Sequence, residues 1–178
     1  GSKLIGTGAV GSAAQGYSVA ISGDGNTAII GGYSDNTNAG AAWIFTRSGG
    51  VWSQQGTKLV GTGAVGLAQQ GSSVSISADG NTTIIGGRSD DAGAGAAWVF
   101  TRSGNIWTQQ GSKLVGTGGV PNPTIFAISV SLSADGNTAM IGRSSDNLST
   151  GAVWVFVRNI GVWSQQGSKI VGTGAIGS

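Results

Sequence analysis

Apolar and polar residues alternate in short runs along this chain, and one such run sets the frame for the rest. In Ser73-Val74-Ser75-Ile76-Ser77 every second residue is apolar, the period of a strand with two unlike faces. Ile84-Ile85 forms the apolar centre of a second strand. Between the two, Asp79-Gly80-Asn81 is hairpin chemistry: Gly80 accepts a positive φ, and Asp and Asn side chains bond back to nearby amides. The same unit recurs at 18–32 and 129–142, with its turn at Asp24 to Thr27 and Asp135 to Thr138. Two further strands follow, so that the middle unit predicts strands at 72–77, 82–87, 95–102 and 106–115, with a tight turn at Ser103-Gly104-Asn105. Looser glycine-rich connections fall at 88–94 and 116–127, and no helical periodicity is present.

The units repeat at a fixed period. Gly-Ser-Lys-Leu-Ile-Gly-Thr-Gly begins at Gly1, and close copies begin at Gly56, Gly111 and Gly167, giving spacings of 55, 55 and 56. Residues 1–55 and 56–110 agree at 39 of 55 positions, and the third unit carries one extra residue near Pro121-Asn122-Pro123. Four antiparallel strands per repeat of this length predict an all-β propeller of three blades. The chain then reads as a single repeat domain over 1–178, with blades at 16–60, 71–115 and 127–171, and with 1–15 repeating the end of a preceding blade. The alternation supports this: Trp98 and Phe100 point one way and Ala97 and Val99 the other, so the strand is apolar on both faces, as a sheet held between neighbours requires.

The series Gly-x-Ser-Val-x-Ile-Ser-x-Asp-Gly-Asn-Thr-x-Ile-Ile-Gly-Gly, then Gly-Ala-Ala-Trp-Val-Phe, then Val-Trp-Ser-Gln-Gln, resembles the bacterial FG-GAP repeat, a relative of the blades in the integrin α-subunit propeller. The resemblance covers the whole chain three times over. It implies a protein outside the cell or at the bacterial cell surface, working in adhesion or recognition, whose leader is expected beyond this sequence. The chain departs from the family in one respect. Many of its blades hold calcium in a loop with alternating acidic residues, whereas here each turn carries one Asp, and calcium needs six to eight oxygens.

Composition removes several classes of function. With no Cys, no His and no Glu, the chain lacks a disulfide framework, a Cys or His zinc site, and the usual general bases, so neither catalysis nor a cofactor is expected. Its nine Lys and Arg are spread thinly, which argues against nucleic acid as a partner, and no apolar run is long enough for membrane insertion.

Two sets of residues recur in register as candidate ligand-binding positions. Asp35 with Asn36, Asp90 with Asp91, and Asp146 with Asn147 stand in the second connection of each unit, where they read either as loop-satisfying turns or as a sugar or cation site. Trp52, Trp107 and Trp163 stand in the outermost strand, as stacking platforms or as packing. By contrast, Asp24, Asp79 and Asp135 read as turn-formers, and Lys3, Lys58, Lys113, Lys169, Arg47, Arg102 and Arg158 as solvated charges that deter edge pairing. Differences between copies cluster in the two connections that share one face of a propeller, at positions such as 12, 14, 17, 33 and 36–38.

Three blades are too few to close a ring of four to eight. The sequence therefore predicts self-association, with a six-bladed dimer the simplest closed form, although the duplication of residues 1–12 at 167–178 means that both copies cannot occupy one place in it. The expected role is non-catalytic recognition of a carbohydrate or a cell-surface protein through the loop face. The competing reading is a purely structural, self-assembling blade array.

Overall fold

The computed structural model describes residues 1–120 and 128–174. The extra residue near Pro121-Asn122-Pro123 and the last residues of the repeated terminus lie outside them. The strands are β1 Ser18–Ile21, β2 Thr27–Gly32, β3 Ala41–Ser48, β4 Val51–Gln54, β5 Gln70–Ile76, β6 Thr82–Gly87, β7 Ala96–Ser103, β8 Ile106–Gln109, β9 Ser129–Leu132, β10 Thr138–Arg143, β11 Ala152–Asn159 and β12 Val162–Gln165. They form three four-stranded antiparallel sheets, each in simple sequence order.

Within a blade the register follows the alternation. Val74 pairs with Ile85, and Ile85 with Trp98, so the apolar residues of three strands fall on one face. The innermost strands of successive blades touch, β1 against β5 and β5 against β9. Between the second and third blades this contact is sealed by side chains, because Ser73 Oγ and Ser75 Oγ accept from the amides of Val130 and Leu132. Edge amides of β9 are thus satisfied without a continuous sheet.

The fourth strand differs from the expectation of one run over 106–115. Gln109 ends β8, Gly111 turns the chain at φ 73, and the strand direction resumes only at Leu114, which exchanges two hydrogen bonds with Ala97. A left-handed conformation at Gly111 breaks the ladder at little cost because glycine lacks Cβ. The break lets the chain leave one blade and cross the next, where Gly61 and Gly116 lie flat on the rings of Trp98 and Trp154.

The core lies between the blades. Ile29, Ala42, Ile44 and Leu59 of the first blade meet Val74, Ile76, Ile85, Trp98 and Phe100 of the second. Ile84, Ala97, Val99 and Leu114 of the second meet Ile141, Trp154 and Phe156 of the third. The outer face of the first blade is covered only in part, by Leu4 and Ala13 of the leading segment over Ile30, Trp43 and Phe45, and the rest of the two end faces is open. Val19 is 67% exposed where its repeat equivalent Val74 is 8%, and Met140 is 45% exposed where Ile84 is fully buried. Ile21 and Ile170 are exposed in the same way.

Candidate functional site

Each connection between the second and third strands of a blade begins with a buried aspartate and continues through a left-handed turn. Asn36, Thr37 and Asn38 all have positive φ, as do Asp91, Ala92 and Gly93, and Asn147, Leu148 and Ser149. The connections expected to be loose are therefore tightly specified. Runs of left-handed residues are unfavourable for residues with a Cβ, by about 1–2 kcal/mol each, so they persist only where surrounding contacts fix them.

The fixing contact is the aspartate. Asp35 Oδ1 accepts from the Val10 amide at 2.7 Å, while Oδ2 accepts from Lys58 Nζ at 2.5 Å. Asp90 repeats this with Val65 and Lys113, and Asp146 with Val120 and Lys169. One carboxylate thus ties down the connector entering its blade and the connector leaving it. Lys58, Lys113 and Lys169, read from sequence as solvated edge charges, are instead partners of buried anions, while Lys3 remains exposed. The correction has a physical cause: a carboxylate taken out of water requires a cation or several donors, and the repeat supplies both.

Asp146 carries a second cation. Arg143 Nη2 donates to Oδ1 at 2.6 Å, and its guanidinium lies 5.2 Å from the centre of the Trp154 ring. Burial raises the Asp146 pKa, but hydrogen bonds from Lys169, Arg143 and the Val120 amide outweigh it and hold the carboxyl below the usual range.

Of the candidates, Asp35, Asp90 and Asp146 are closed to solvent, and their oxygens are already engaged. Asn36, Asp91 and Asn147 follow directly and are exposed. Trp52, Trp107 and Trp163 lie at the other end of their blades, half-buried, with the guanidinium groups of Arg47, Arg102 and Arg158 stacked over them at 5.4–5.5 Å. Trp107 and Trp163 donate their indole N–H to Gln55 and Gln110 of the preceding repeat. Trp107 with Arg102 and Trp163 with Arg158 thus join blade to blade, so Arg102 and Arg158 also differ from the sequence expectation of solvated charges, whereas Arg47 is exposed and bonds only to Asn26 of its own blade. The two candidate sets are therefore not brought together.

Asp24, Asp79 and Asp135 each cap a hairpin. Asp24 Oδ1 accepts from Ser22 Oγ and from the Asn26 amide, and Ser22 Oγ accepts in turn from the Thr27 amide. The Ser22 hydroxyl and then the Asn26 donors lower the Asp24 pKa from 3.8 to about 2. Asp135 is lowered by the same partners, Ser133 first. At Asp79 burial opposes the shift, yet bonds from Ser77 and Asn81 and the Arg102 charge prevail. Carboxyls depressed in the folded state stabilise it fully above their unfolded pKa, and that stability drains away as pH falls through the folded values. Urea midpoints should therefore hold steady down to about pH 4 and decline toward pH 2, and the decline should be shallower in a variant with Asp24→Asn, Asp79→Asn and Asp135→Asn together.

The sequence reading missed Tyr17, Tyr33 and Arg88. The two tyrosine rings meet edge to face at 4.5 Å, and the Arg88 guanidinium lies over both. The signal was available, because Tyr17 and Tyr33 occupy positions at which otherwise near-identical units differ.

Among the described residues no group of three or more His, Cys, Asp or Glu is placed to hold a metal ion, and no helix is long and apolar enough to cross a membrane. No family model matches the chain, and no characterised protein matches it in sequence. Among solved structures, TolB from Acinetobacter baumannii superposes with a TM-score of 0.47, at 13% identity over 83% of this chain and 31% of that one. Hydrazine synthase of Kuenenia stuttgartiensis gives a TM-score of 0.54, at 11% identity over 97% of this chain and 40% of that one. The chain thus spans well under half the length of either protein. With three four-stranded antiparallel blades and a likeness in fold alone to a β-propeller protein, the chain is an all-β propeller segment.

Proposed function

We propose that this chain is a non-catalytic recognition propeller of the FG-GAP type, working at a bacterial cell surface, that associates with a second copy and binds a carbohydrate or protein through its loop face. The observation that carries this reading is the set of left-handed turns. Three blades present the exposed side chains Asn36-Thr37, Asp91-Ala92 and Asn147-Leu148 on one backbone geometry, each anchored by a buried carboxylate. A fixed frame with different residues in it suits binding, since function rides on loops held by a rigid scaffold.

The repeat itself supplies the test. Asn36→Asp, Thr37→Ala and Asn38→Gly together give the first blade the turn of the second, so the fold is retained while the presented surface changes. The recognition reading expects a glycan or surface-protein ligand found by array screening to lose at least about tenfold in affinity. Unchanged binding by variants in all three turns would overturn it.

The purely structural reading is favoured by the open end faces, where Val19 and Ile21 at one end and Met140 and Ile170 at the other are the exposed counterparts of buried blade contacts. Exposed apolar residues grouped in this way mark association sites. Light scattering should give twice the 17.5 kDa chain mass. Val19→Asp with Met140→Asp should return the chain to a monomer without loss of folding, because both side chains are exposed. A ladder of larger species would favour the structural reading, and a monomeric parent would remove self-association from both.

A further inference from the structure

Two of the positions at which the blades differ converge on one place. Tyr17, Ser72 and Ile128 are the same repeat position in the three blades, and Tyr33, Arg88 and Ser144 are another. Tyr17, Ser72, Arg88, Ile128 and Ser144, with Ser129, line a single open cleft of about 350 Å³ where the innermost strands begin. Apart from Ser129 and the backbone of Gly142, its wall consists of these divergent positions, while the packed interfaces around it repeat almost unchanged.

The chemistry of the wall is specific. Arg88 is held in place, its Nε donating to Gln69 Oε1 at 2.6 Å and its Nη1 to the Tyr17 hydroxyl at 3.0 Å, with Tyr33 stacked 4.8 Å from its guanidinium. These bonds use two of the five guanidinium donors. Among the described residues no carboxylate lies within 4.0 Å of it, whereas Arg143 has its aspartate. A fixed arginine with spare donors in a concave site recognises a carboxylate in fork geometry. Around it Ser72, Ser129 and Ser144 offer hydroxyls, and Tyr17 and Ile128 offer apolar surface. The volume lies at the small end of ligand sites and admits a single sugar ring.

We infer that this axial cleft binds an acidic sugar residue, a hexuronate whose carboxylate pairs with Arg88 and whose hydroxyls meet the serines. The inference narrows the recognition reading to one place and rests on it.

The probes are glucuronate and galacturonate, with glucose as the neutral control, titrated into the full chain by NMR or calorimetry. The expected result is binding of at least one uronate, weakened at least tenfold for glucose, and lost in Arg88→Ser. Blade three carries serine at that position, so this variant should keep its thermal midpoint. Ser144→Tyr, which brings in the residue of blade one, should block the cleft by filling it while leaving Arg88 in place. Equal binding of uronate and glucose, no binding of any probe, or uronate binding that survives both variants would overturn the assignment. Array ligands that depend on the left-handed turns but ignore Arg88→Ser would sink the cleft and leave loop-face recognition standing.

Discussion

Replacing Asp90 by alanine lowers the stability of the chain by about 3 kcal/mol, read as a fall in the urea midpoint at pH 7 with an unchanged slope. Asp90 is fully buried, and its loss strands two groups at once: the Lys113 ammonium, whose side chain is only 18% exposed, and the Val65 amide. Breaking a buried pair from one side costs 3–5 kcal/mol in general because the surviving charge is left without compensation. The lower end applies here because Lys113 retains a path to water. Asp90→Asn separates the two components, since its amide oxygen can still accept from Val65 while Lys113 loses its counter-charge. It should fall between the parent and the alanine variant. An alanine variant as stable as the parent would mean that the carboxylate does not hold the turn.

Trp98→Ala should cost about 3–5 kcal/mol, the range for truncating a large buried aromatic residue. The indole is fully buried between the first two blades, and its N–H donates to the Thr62 carbonyl at 2.7 Å. Its slot is cut by glycine. A Cβ at Gly61 would stand 2.2 Å from the ring and one at Gly87 would stand 2.7 Å away, so the surroundings have little freedom to collapse into the space left behind. Trp98→Phe keeps much of the apolar contact but leaves the Thr62 carbonyl without its donor, and should cost about 1–2 kcal/mol less than alanine. Chemical denaturation of the two variants checks the order, and equal losses would show that burial of the ring contributes nothing beyond the hydrogen bond.

The strands and hairpins were legible in the sequence because their causes are local. Alternation at 73–77 and the Asp79-Gly80-Asn81 turn act over a few residues, and the fixed period then multiplied the reading by three. What was not legible acts at a distance. Asp35 and Lys58 are 23 residues apart and meet only because one connector crosses the end of a finished blade. In sequence such a lysine looks like any solvated charge. The left-handed turns were hidden for another reason: Thr37, Ala92 and Leu148 have no local preference for positive φ, and the conformation is imposed by the anchored carboxylate beside them. The tryptophans at 52, 107 and 163 show the limit of register arguments. Recurrence at one position signals a shared role, and here the side chains show packing against the arginine of the neighbouring strand.

Each buried aspartate grips the connector on either side of its blade, so adjacent blades share an anchor rather than standing as separate modules. In a linear array of such units, stability is a sum of unit terms and nearest-neighbour couplings, and strong couplings make the array melt as one cooperative body. The middle blade takes part in two couplings and each outer blade in one. A lesion of equal chemistry is therefore transmitted in both directions from Asp90 but in only one from Asp146, and the chain frays inward from its ends rather than parting at its centre.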